Sequence, residues 1–138
     1  MGHRLIPQQG SVIIRLDGVT NPHILAAELR EMLDKQSTPL AILIDFTHAS
    51  DIDQALKSQI YRMFQHPKSA RTIGFFGLTP LMLAELQGLL TGLAQSRKIV
   101  VRDTEMDTLV AMNLVTVPPS ERRLSGMVNF AKRAEGSA

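Results

Sequence analysis

The sequence predicts one α/β domain, built as a mixed sheet of four to five strands with about four helices. Three observations carry this. Apolar, strand-like runs alternate with segments whose apolar residues recur at helical spacing. Two helical segments open with a capping residue followed by proline, Asn21-Pro22 and Thr79-Pro80. A length of 138 residues is that of a single domain, enough to bury a core without disulfides or metal.

The elements follow in order. SVIIRLDG at 11–18 is a strand, and HRLIP at 3–7 pairs with it as a hairpin across Gln8-Gln9-Gly10. Asn21 caps a helix that carries Pro22 at its first position and an apolar stripe of Leu25, Leu29, Met32 and Leu33, ending at the Ser37-Thr38-Pro39 break. LAILIDF at 40–46 is continuously apolar, the pattern of a central strand covered on both faces. The next helix turns Leu56, Ile60, Met63 and Phe64 inward and stops near His66-Pro67, because proline disfavours helix at the preceding residue. RTIGFFG at 71–77 is a strand, Thr79-Pro80 starts a helix to about Gln95, and KIVVRD at 98–103 is the last strand. Thr104 and Asp107 form a capping-box pattern for a final helix to Asn113. Strands alternating with helices imply parallel pairs joined by right-handed crossovers. On this reading residues 1–117 form the domain and 118–138 a basic C-terminal tail.

Composition narrows the function classes. With 44% hydrophobic and 20% charged residues the chain is ordinary for a soluble globular protein. Cys 0 removes disulfide, thiolate and zinc-thiolate chemistry. No apolar run reaches the ~20 residues that span a bilayer, and Met1 to Gly10 lacks the apolar core of a signal peptide, so a cytoplasmic protein is expected. Residues 1–117 hold 11 Lys/Arg and 11 Asp/Glu; the net +2 arises in 118–138, where Arg122, Arg123, Lys132 and Arg133 outnumber Glu121 and Glu135. A neutral body with one Tyr and no Trp is a poor nucleic-acid surface. His3, His23, His48 and His66 show no metal-ligand spacing, no G-x-S-x-G is present, and the LDGVTNP turn after the first long strand has no phosphate-cradling glycine pattern. No cofactor is expected.

The order of elements and the central segment resemble the STAS family, the domain of anti-sigma-factor antagonists (SpoIIAA-like) and of the cytoplasmic parts of anion transporters. Asp45-Phe46 looks like that family's strand end and Asp53 like its helix-start Asp, with Gln54 and Ala55 where two serines would be and Leu56-Lys57 replacing Gly-Leu. The resemblance spans about 11–113 and implies a bacterial-type regulatory module with a protein partner. The residue matching the phosphoacceptor is Ala55, which has no hydroxyl, so it also implies that phosphoswitching at that position is lost.

The turn after the central strand is the candidate working loop. Thr47, His48, Ser50, Asp51, Asp53, Gln54 and Ser58 form a candidate docking surface. Asp45, Asp51 and Asp53 together would suit a hard cation such as Mg²⁺, a carboxylate-enzyme reading that ranks third. Capping explains most of the same residues: Ser50-x-x-Asp53 reads as a capping box and Asp51 complements the helix dipole. Ser50 and Ser58 keep hydroxyls that a kinase could modify, although no kinase motif accompanies them. The helix 80–95, PLMLAELQGLLTGLAQ, has Glu85 as its only charge and leucines around most of its circumference. One face packs on the sheet; Leu83, Leu86, Leu90 and Leu93 are the candidate interface of a homodimer, with Gly88 and Gly92 leaving a groove. Equally, 120–132 could fold back over this helix, presenting Leu124, Met127, Val128 and Ala131. The leading reading is a non-enzymatic interaction module; the alternative is a carrier of a small lipophilic or anionic ligand beside 80–95.

Overall fold

The computed structural model describes residues 2–50 and 52–115. The two halves of the hairpin come first: β1 (Gly2–Gln8) and β2 (Ser11–Gly18) pair antiparallel from Gly2↔Asp17 to Gln8↔Ser11, with Gly10 at φ +79° in the turn. Positive φ is where glycine has no steric penalty, which explains its place there. The chain continues through α1 (Pro22–Asp34), β3 (Leu40–Ala49), α2 (Gln54–Met63), β4 (Ser69–Phe76), α3 (Pro80–Glu85), α4 (Gln87–Leu93), β5 (Lys98–Arg102) and α5 (Glu105–Ala111). One five-stranded sheet runs in the order β1-β2-β3-β4-β5, with β2 to β5 parallel.

Four of the five described helices begin at a side-chain cap; α4, which continues from Leu86, has none. Asn21 Oδ1 accepts from the amides of His23 and Ile24 at 3.0 and 3.2 Å, Asp53 Oδ1 from Leu56 at 2.8 Å, Thr79 Oγ1 from Met82 at 3.1 Å, and Thr104 Oγ1 from Asp107 at 3.2 Å. These bonds satisfy amides that the helix leaves without a carbonyl.

Strand order decides the layers. Every parallel crossover steps to the next strand on the same side, so right-handed connections place α1, α2, α3 and α4 together on one face. The core confirms it. Val12, Ile14, Leu16, Ile42, Ile44, Phe46, Ile73 and Phe75 pack with Leu25, Leu29, Leu33, Leu56, Ile60, Phe64, Leu86 and Leu93. Phe75 lies at the centre, 6.2 Å from the Phe46 ring and 5.9 Å, edge-on, from Phe64. The intervening strand residues point to the second face, where Ile13, Ala41, Leu43, Phe76 and Val100 meet Leu109 and Met112 at the end of the chain's α5.

The structure corrects one element. The helix expected over 80–95 is two, α3 and α4, interrupted at Leu86 (φ −89°, ψ 0°). Gly88 and Gly92 make the second half a weak helix former, so packing of the fully buried Leu86 sets the local backbone. Five helices therefore stand among the described residues, where about four were expected. The proposed cover of this region by 120–132, and the tail from 118, lie outside the described residues.

Candidate functional site

The loop after β3 leaves the C-terminal edge of the parallel strands, where α/β folds place their binding residues. β3 runs past its pairing with β4 and stays hydrogen-bonded to β2, through Asp17↔His48 and Gly18↔Ala49, and then Ser50 N donates to Gly18 O at 3.1 Å. Ala49 and Ile52 are buried and pin the loop to the core. Thr47, His48, Ser50 and Asp53 are exposed between these anchors, followed by exposed Gln54, Ala55 and Ser58 on α2. Asp51 lies outside the described residues. Asp53 is itself the N-cap, so the expected capping box starting at Ser50 is replaced by a single cap three residues later.

Asp45 does not join Asp53. Its side chain turns to the second face, where Oδ2 accepts from Arg15 Nη1 at 2.7 Å and Oδ1 accepts from the Thr47 hydroxyl at 2.5 Å and the Thr47 amide at 2.8 Å. Arg15 Nη2 donates to Glu105 Oε1 at 2.8 Å, which ties the first residue of α5 to the sheet. Burial pushes the Asp45 carboxyl up, but the Thr47 hydroxyl and amide and then Arg15 outweigh it and hold it below its ordinary value. Arg15 is raised above its ordinary value, by Glu105 first and Asp45 next. The network lies in an open hollow of about 580 Å³ with Arg4, Arg15, Asp45, Thr47, His48 and Glu105 among its lining. Register explains the assembly: Arg4↔Arg15, Arg15↔Asp45 and Asp45↔Phe76 place one row across the sheet.

Sequence reasoning missed Arg15 and Glu105. A signal existed, since Arg15 interrupts the apolar run of β2 one residue after Ile14, just as Asp45 interrupts β3 after Ile44. Two charges of opposite sign at matching ends of adjacent strands are a cross-strand pair. Glu105 carried no such signal. Thr47 is held on its other side by Gly77 (φ +75°), where a Cβ would collide with the Thr47 backbone and hydroxyl.

Of the four expected interface leucines, Leu86 and Leu93 are fully buried in the core, Leu90 is half-buried and Leu83 is exposed. Leu86 and Leu93 therefore belong to the packing of the domain and not to an outer surface. The groove expected beside Gly88 exists, at about 480 Å³, between α2 and the α3–α4 pair, and Gln54 and Ser58 lie on its α2 wall. Gly92 is already occupied, since a Cβ there would lie 3.6 Å from the Tyr61 ring; Gly88 faces open space. Among the described residues no three His, Asp or Glu side chains lie together in a group that could hold a metal ion.

Two solved structures share this architecture. An anti-sigma-factor antagonist (STAS) domain protein from Planctomyces limnophilus superposes with a TM-score of 0.63 at 15% identity, over 82% of this chain and 99% of that one. A protein with a SpoIIAA-like fold from Shewanella loihica PV-4 superposes with a TM-score of 0.57, also at 15% identity, over 79% of this chain and 90% of that one. The chain thus has a STAS/SpoIIAA-like fold, which is what its element order resembles. No protein-family model matches the sequence, and no curated protein matches it. No helix among the described residues is long and apolar enough to cross a membrane.

Proposed function

We propose that this chain is a non-enzymatic, STAS-like interaction module that docks a regulatory protein partner through the loop 47–53 and the first turns of α2. The observation that carries this reading is an exposed polar surface whose described residues alternate with buried anchors. Ala49, Ile52 and the Asp53 cap hold the loop, while Thr47, His48, Ser50, Gln54 and Ser58 stay exposed. Polar side chains presented between buried anchors lose less entropy on binding than those of an unanchored segment, which suits recognition of a folded partner. Ala55, exposed where the family's phosphoacceptor would stand, supports docking that is not switched by phosphate at that position. The carrier reading has less support. The groove beside 80–95 is open to solvent and has Lys57, Arg62 and Glu85 in its walls, which does not suit a lipophilic ligand; the two cations favour an anionic one, but Glu85 opposes it and the open groove leaves it in water.

The test uses tagged protein expressed in its native host, with quantitative mass spectrometry of what co-purifies. His48→Glu with Ser50→Arg should deplete a reproducible partner at least about tenfold, which corresponds to ~1.4 kcal/mol of binding. Its melting temperature should stay within about 2 °C of the parent, as for surface substitutions generally. An unchanged set of co-purifying proteins removes the loop as the docking surface.

A further inference from the structure

The groove between α2 and the α3–α4 pair has charged walls whose side chains form no ion pair among the described residues. Its α2 wall presents Lys57, Tyr61 and Arg62, and its other wall presents Glu85, Gly88 and Leu89. Among the described residues neither Arg62 nor the Glu85 carboxylate has an ion pair, and Lys57 Nζ reaches only the Glu85 carbonyl, at 3.5 Å. Apolar surface accompanies these charges: Tyr61, in the α2 wall, is 44% exposed, and Leu81, outside the groove's lining but one turn before Glu85, is 70% exposed. Gly88 adds a separate point. It sits inside a helix, where glycine is a poor choice, and a Cβ there would meet nothing within 4 Å, so no contact within the described domain calls for it.

We propose that the occupant of this groove is a second copy of the chain. A two-fold contact sets each surface against itself, so whatever one wall offers the other must accept. Here the α2 wall is cationic and the opposite wall anionic. Rotation about an axis through the groove brings Lys57 of each copy to the partner copy's Glu85 wall, and the bare backbone at Gly88 on that wall admits the approach of the other copy's α2. Tyr61 and Leu81 lose their exposed surface in the contact. With so few large apolar side chains the association is weak, with a Kd on the order of 100 µM. Gln54 and Ser58 also line this groove, so self-association covers part of the proposed docking surface and competes with the partner.

Sedimentation velocity of the full chain at low salt, from about 10 to 500 µM, tests this at concentrations bracketing the expected Kd. The parent should shift with concentration from 15.2 kDa towards twice that mass. Lys57→Glu alone and Glu85→Lys alone should each abolish the shift, and the two together should restore it, because the pair is only exchanged. Gly88→Leu should abolish it without lowering the melting temperature. A parent that stays monomeric throughout, or a dimer indifferent to all these changes, overturns the proposal. The His48→Glu/Ser50→Arg variant should self-associate like the parent, so failure of the docking loop leaves this result standing.

Discussion

Arg15 joins three elements with two hydrogen bonds, and its partners differ in how much they depend on it. Asp45 is 7% exposed in its side chain and also bound by Thr47, whereas Glu105 is 35% exposed. Loss of the Asp45 charge leaves Arg15 with Glu105 but without its more buried partner, so Asp45→Asn should cost about 1–3 kcal/mol at neutral pH, less than a fully buried pair because Arg15 is one-third exposed. The pH dependence has a definite sign. Asp45 is held below its ordinary value in the folded protein, so it binds a proton more readily when unfolded. The stabilisation is complete above the unfolded carboxylate value of about 4 and is lost as pH falls from there through the lower folded value. Thermal melts between pH 7 and pH 2 should show the parent losing its advantage over Asp45→Asn across that acidic range. A gap that is constant with pH would show that Asp45 contributes only shape.

At the scale of elements, the split helix separates core from surface more sharply than its composition does. Leu86 is fully buried and Leu83 is 37% exposed, only three residues earlier. Leu86→Ala should therefore destabilise by about 2–5 kcal/mol, and Leu83→Ala by no more than about 0.5 kcal/mol, in denaturant unfolding. Equal, small effects at both positions would place Leu86 outside the core. The sequence made the existence of this element plain, because Thr79 and Pro80 supply a cap and a fixed φ that act locally. Its inward face was not legible, since leucine occupies nearly every angular position and the hydrophobic period selects none of them. The same contrast holds for the site. Asn21, Thr79 and Thr104 act within three residues of themselves and could be read directly, whereas the cap of α2, expected at Ser50, is Asp53. Arg15 and Glu105 meet across 90 residues, and only strand order and register bring them together.

For the whole molecule, a sheet whose strands follow chain order has helices stacked on one face, and among the described residues α5 is the helix on the other. That asymmetry makes the two layers unequal in how they are held. The first face is knitted by four helices that alternate with strands, so none of them can leave without breaking a crossover. Among the described residues α5 follows the last strand and is held by packing on β4 and β5, by Leu109 and Met112, and by the Arg15–Glu105 bond. Gly74 provides its resting place: a Cβ there would come 2.6 Å from Met112 Sδ and 2.7 Å from Thr108 Cγ2. Met112 could swing away, but Thr108 is fully buried and its hydroxyl is tied to the Thr104 carbonyl at 2.8 Å, so the backbone of α5 would have to move. α5 should accordingly open as its own unit, below the free energy of global unfolding. Hydrogen exchange should show the amides of 108–112 losing protection at least about a hundredfold sooner than those of 42–45. Gly74→Val should widen that gap, cost about 1–3 kcal/mol, and leave exchange in α1 and α2 close to that of the parent. Protection in α5 equal to that in β3, or a Gly74→Val effect spread evenly over both faces, would mean that the two layers unfold as one.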